Sequence, residues 1–140
     1  MASAAALYTP QVLGLATSLA AYPWDDSLPL QGDARSKSCG STLMLGLGLD
    51  DTGRIGKVAL RAQACAIGQA AAAIFAGAAL GCDGMRIAQA EQQLSSWLTA
   101  GADLPDWPGI EMLEGARAYP ARHGAIRLAW QAARDLLPTS

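Results

Sequence analysis

The sixteen residues from Cys65 to Leu80, CAIGQAAAAIFAGAAL, carry a single polar side chain, Gln69. A helix that is apolar around most of its circumference has to be enclosed on several sides. The run is shorter than the roughly 20 residues a membrane span needs, and half of it is alanine. It therefore predicts a helix buried inside a soluble domain. Ile67, Ala71, Ile74, Phe75 and Ala78 form its stripe, and Gly81 stops it. The rest of the chain must supply the walls.

Just before this run the hydrophobic period changes to two. Leu43, Leu45, Leu47 and Leu49 point one way, and Thr42, Met44, Gly46 and Gly48 the other. The two glycines leave that second face bare, so another segment is expected to lie close against it. Asp50 to Gly53 reads as a hairpin turn. The return strand is Arg54 to Ala62, with Val58, Leu60 and Ala62 on one face and Lys57, Ala59 and Arg61 on the other. A third strand is expected around Gly32 to Lys37.

Helical spacing dominates elsewhere. Leu7, Val12, Leu15 and Leu19 predict a helix from Leu7 to about Ala20, with Pro10 near its start and a loop from Tyr22 to Pro29 behind it. Asp83 can cap a helix that buries Ile87, Ala90, Leu94, Trp97 and Leu98 and ends at Gly101. Leu104 to Pro108 is a rigid loop. A short helix, Ile110 to Arg117, turns Ile110, Leu113 and Ala116 inward. Pro120 starts a last helix with Ile126, Ala129, Trp130, Ala133 and Leu137 inward. The predicted class is α+β, a single domain over residues 1–140, with a small antiparallel three-stranded sheet and helices packed on one of its faces.

Composition removes several functions. Hydrophobic residues make up 51% of the 140 and charged residues 16%, with a net charge of −2, so disorder is excluded. Lys and Arg are scattered, which argues against nucleic acid as a partner. The start, MASAAALYTP, has no basic region of the kind that opens a secretory signal, and no membrane association is expected. Three cysteines, Cys39, Cys65 and Cys82, are an odd number, and they are expected to be reduced thiols in a cytoplasm.

Cys39 precedes the first strand of the hairpin and Cys65 follows the second. Because the strands are antiparallel, both thiols are expected at the same end of the hairpin. Cys65 also opens a helix, where free N–H groups and the helix dipole favour thiolate over thiol. Two convergent thiols suit a soft metal, an iron–sulfur cluster or sulfur transfer; a buried cysteine can equally be a small hydrophobe. Cys82 is read in the second way. It lies at the far end of the Cys65 helix, roughly 25 Å away at about 1.5 Å per residue.

In this order the motifs resemble the U-type iron–sulfur cluster scaffolds (IscU, SufU and the N-terminal domain of NifU) over most of the chain. Leu7-Tyr8 looks like the tyrosine near the family's start. Cys39-Gly40-Ser41 stands where the family has Cys-Gly-Asp, and Asp50 to Gly53 matches its hairpin turn. Ala64-Cys65-Ala66-Ile67 resembles its Gly-Cys-Ala-Ile-Ser segment. Tyr119-Pro120-Ala121-Arg122 and Leu128-Ala129-Trp130 resemble its Phe-Pro-x-Arg and Leu-x-Trp. The resemblance implies a scaffold rather than an enzyme. It would assemble a transient [2Fe–2S] cluster, with sulfur arriving as persulfide from a cysteine desulfurase, and three cysteines and an aspartate holding the cluster, iron or a zinc ion.

Two of those ligand positions carry over, Cys39 and Cys65. Ser41 stands where the family has its aspartate, and Ala125 where the third cysteine belongs. Two thiols do not close a tetrahedral site. His123, two positions before Ala125, is a candidate third ligand or a histidine that satisfies a loop; a second subunit, giving a homodimer, or a small thiol could also complete the set. The chain also resembles SufE-type sulfur acceptors through Cys39-Gly40-Ser41. That likeness implies a metal-free persulfide acceptor at Cys39, although those proteins lack an equivalent of Cys65. A third reading is an interaction module without chemistry, whose interface would be an exposed patch around Trp24 or Trp107.

Overall fold

The computed structural model describes residues 7–37 and 40–138. Its sheet has three antiparallel strands in the order β1 (Leu30–Arg35), β2 (Thr42–Leu49) and β3 (Ile55–Gln63). The β2–β3 register sets Leu43 against Ala62, Leu45 against Leu60 and Leu47 against Val58, and this leucine face is buried. The alternation stops one residue earlier than the sequence pattern suggests. A register shift between Gly48 and Leu49 leaves Leu49 37% exposed, because a bulge reorients the side chains at the strand's end.

Four α-helices are present: α1 (Pro10–Ser18), α2 (Ala66–Ala79), α3 (Gly84–Ala100) and α4 (Pro120–Leu136). α1 starts later than Leu7, because Thr9 is its N-cap, accepting from the Val12 N–H, and Pro10 occupies the first turn, where its missing N–H costs nothing. Asp83 caps α3 by accepting from the Arg86 N–H, and Gly101 closes that helix in the left-handed region that glycine adopts freely. Ile110–Ala118 is wound as a 3₁₀ segment, still turning Ile110, Leu113 and Ala116 inward.

α4 lies over β1 and β2, α2 lies over β3, α1 packs on α2, and α3 packs on α4. α2 is thus walled on several sides, as its composition requires: ten of its fourteen residues are buried. The outer face of the sheet is covered in part by the segment before β1. A Cβ on Gly46 would lie 3.2 Å from the Leu28 Cδ1 and 3.6 Å from the Trp24 ring, so glycine lets that segment approach closely. The Tyr22 carbonyl accepts from the Leu60 N–H, so the same segment also runs along the outer edge of β3.

Trp107 is not a surface residue. It is 2% exposed, stacks on Phe75 with centroids 5.7 Å apart, meets Trp130 edge-on at 5.5 Å, and donates its indole N–H to the Ile74 carbonyl. The interaction patch expected around it is therefore absent. The rigid Pro-rich loop carries the indole inward, where a large apolar ring with one satisfied polar atom is most stable. Trp24 is half-buried, beneath the Arg61 guanidinium. Among the described residues no helix is long and apolar enough to cross a membrane.

Candidate functional site

The hairpin fixes one corner of the molecule. Thr42, the first residue of β2, pairs with Gln63, the last of β3, so the entry to one strand and the exit from the other lie side by side. Cys65 follows at once as the N-cap of α2. Its thiol is free and half-buried, and its side chain makes no capping bond. The helix ladder begins with the Gln69 N–H donating to the Cys65 carbonyl, so the first-turn amides ahead of it have no carbonyl partner within the helix. Cys39 lies outside the described residues.

A second helix end faces this corner. Gly68 of α2 packs on Ala125 of α4, and seven residues further along α2 Phe75 meets Trp130 of α4 edge-on at 5.5 Å. The contacts advance together along both helices, so α2 and α4 run parallel. Their N-termini therefore lie at the same side of the sheet, and two partial positive charges converge near Cys65. Sequence reading assigned one helix end to the corner. The other depends on how α4 folds back over the sheet, which no local pattern reports. An anionic sulfur species or a negatively charged cluster is the charge type such a corner favours.

The two positions at which the resemblance sets further ligands are also placed. Ala125 is 2% exposed, against the first turn of α2; a Cβ on Gly68 would lie 3.3 Å from its Cβ and 2.8 Å from that of Ala64, the neighbour of Cys65. Ser41 is 5% exposed, and its carbonyl accepts from the Ser36 N–H at 2.8 Å. His123 lies on α4 two residues before Ala125, close to the opposite side of that helix. Its Nε2 is 3.0 Å from the Arg117 carbonyl oxygen, a contact that ties the start of α4 to the preceding 3₁₀ segment. Among the described residues no three His, Cys, Asp or Glu side chains are grouped as a metal site.

Cys82 sits at the other end of α2. Its Sγ contacts the Ala78 carbonyl, burial pushes its thiol pKa up, and its backbone carbonyl accepts from the Ile55 N–H at the start of β3. It closes the turn-side end of the sheet and has no part in the Cys65 corner. Nor does the open cavity of about 510 Å³ lined by Tyr22, Trp24, Asp25, Lys57 and Leu80 reach Cys65.

Two solved structures resemble this chain closely. One is the N-terminal part of a nitrogen-fixing NifU-like protein from Brucella abortus, with a TM-score of 0.85 and 25% identity over 94% of this chain and 92% of that one. The other is an iron–sulfur cluster assembly scaffold protein for the SUF system from Fervidobacterium islandicum, with a TM-score of 0.84 and 16% identity over 97% and 100%. No protein-family model and no curated protein matches the chain.

Proposed function

We propose, for a chain whose structure resembles the U-type iron–sulfur cluster scaffolds, a role in iron–sulfur cluster assembly as a sulfur-accepting protein with reduced hold on metal. The carrying observation is Ala125, a side chain without a donor atom that packs on the first turn of α2, the helix that Cys65 caps. Cys65 and Cys39 supply soft sulfur ligands, and the paired helix ends offset the negative charge of whatever sulfur species is held. A transient [2Fe–2S] cluster, iron or zinc bound here needs ligands beyond these two thiols. A cysteine desulfurase is the proposed sulfur donor.

The sulfur step balances without an added oxidant. A thiolate of this chain attacks the outer sulfur of the desulfurase persulfide. The S–S bond within that persulfide breaks, its electron pair leaves with the desulfurase cysteine as thiolate, and a new S–S bond forms on the acceptor. Cys39, beside Gly40 with its left-handed backbone, is the proposed acceptor.

The test is mass spectrometry of the reduced protein after incubation with desulfurase and cysteine. A gain of one sulfur on Cys39, lost in Cys39→Ser, is expected. Unmodified thiols, with the desulfurase turning over normally, would end the acceptor reading. Anaerobic reconstitution with iron and sulfide, followed by visible absorption, is expected to give a cluster only weakly or when an added small thiol completes the ligands.

A further inference from the structure

The three-stranded sheet has two edges, and they are treated differently. The outer edge of β3 is partly closed by Tyr22. β1 is the other edge strand, and no segment among the described residues pairs with its outward side. A cleft of about 580 Å³ runs beside it, lined by Asp33, Ala34 and Arg35 of β1, Glu91 of α3, and Arg134 and Asp135 of α4. Glu91 is already neutralised there by Arg127 at 2.8 Å and Arg134 at 3.0 Å.

The ladder fixes which β1 groups point outward. Ser36 donates to Ser41 at 2.8 Å, one step beyond the β1–β2 register, so the even-numbered residues bond to β2. The amide and carbonyl groups of Gln31, Asp33 and Arg35 therefore face the open edge. All three residues are exposed, and the Asp33 and Arg35 side chains have no ion-pair partner among the described residues.

We propose that this edge pairs with the same edge of a second copy of the chain, antiparallel and centred on Ala34. A two-fold pairing must match outward residues with outward residues, which restricts the register to centres on Gly32, Asp33 or Ala34. Centring on Asp33 opposes two carboxylates. Centring on Gly32 faces Asp33 with Gln31. Centring on Ala34 faces Asp33 with Arg35 of the other copy, and does so twice, each pair also exchanging two backbone hydrogen bonds. Charges on an edge strand ordinarily discourage pairing; here their sign and two-residue spacing select one self-complementary register. The product is a continuous six-stranded sheet whose outermost strands are the two copies of β3, and the pairing is tested by association rather than by sulfur transfer.

The test is sedimentation equilibrium over a concentration series, with circular dichroism to establish that each variant is folded. The wild type is expected to be a dimer. Asp33→Arg and Arg35→Asp should each weaken the dimer by at least about tenfold, because each opposes like charges twice. An equimolar mixture of the two variants should restore a heterodimer, since every arginine then meets an aspartate. Asp33→Pro, which removes an outward N–H and no β1–β2 bond, should also weaken it. A wild type that stays monomeric, a dimer indifferent to these substitutions, or single variants that do not complement each other would overturn the proposal.

Discussion

Ala125 of α4 stands against Gly68 of α2, so close that a Cβ on the glycine would lie 3.3 Å from the Cβ of the alanine. This contact sets the distance between two parallel helices and brings both of their N-termini to the Cys65 corner. By the family resemblance it is also where a third ligand would stand, and alanine offers no donor atom there.

Restoring the ligands should restore metal. Ser41→Asp combined with Ala125→Cys supplies a carboxylate and a thiolate beside Cys65, at the positions where the family resemblance sets its ligands. Competition with a chromophoric zinc chelator is expected to show tighter zinc binding than wild type by more than about tenfold, or about 1.4 kcal/mol. Equal zinc affinity in the two proteins would mean that position 125 does not address the site.

Two glycines of the same helix should respond in opposite directions. Gly68→Ala places a methyl 2.8 Å from the Ala64 Cβ, so overpacking exceeds the gain in helix propensity, and a loss of about 1–2 kcal/mol is expected in urea unfolding. Gly77 is exposed and has nothing within 4 Å of its added Cβ. Gly77→Ala should stabilise by about 0.5–1 kcal/mol.

Glu91 joins α3 to α4 through Arg127 and Arg134 while itself only 6% exposed. Glu91→Gln removes the charge opposite both guanidiniums. A cost of about 1.5–3 kcal/mol is expected, and Arg134→Ala should cost less, because that side chain is half-exposed and Arg127 still holds the carboxylate. Thermal melts of the two variants at one pH make the comparison.

Asp50 organises the hairpin turn by accepting from the Thr52 hydroxyl and from the N–H groups of Thr52 and Arg54. The Thr52 hydroxyl, ahead of those two N–H groups, holds its carboxyl below the usual carboxylate range. A carboxyl depressed in the folded state adds stability above its unfolded pKa and loses it as pH falls through the folded one. The urea midpoint of wild type should therefore fall toward that of Asp50→Ala as the pH is lowered below about 4. A difference independent of pH would rule out this source.

The change from period two to period 3.6, the Asp83 and Gly101 stops and the inward stripes of α3 and α4 were legible because each is a local signal: alternation, capping chemistry or glycine's left-handed freedom. So was the need to cover Gly46, though not by what. The identity of the cover, Leu28 and Trp24, depends on where a loop returns. The inward turn of Trp107 was missed for the same reason: the loop's composition shows rigidity and gives no direction.

The sequence by itself determined the elements, the faces they bury and the meeting of β2's start with β3's end, since antiparallel pairing and side-chain periodicity follow from the backbone. Only the tertiary structure decided that α4 lies parallel to α2, that Ala125 packs on the first turn of α2, that His123 bonds to the Arg117 carbonyl, and that β1 keeps an edge open among the described residues. Those outcomes depend on packing between residues far apart in the chain, where the shape left by one element selects the position of the next.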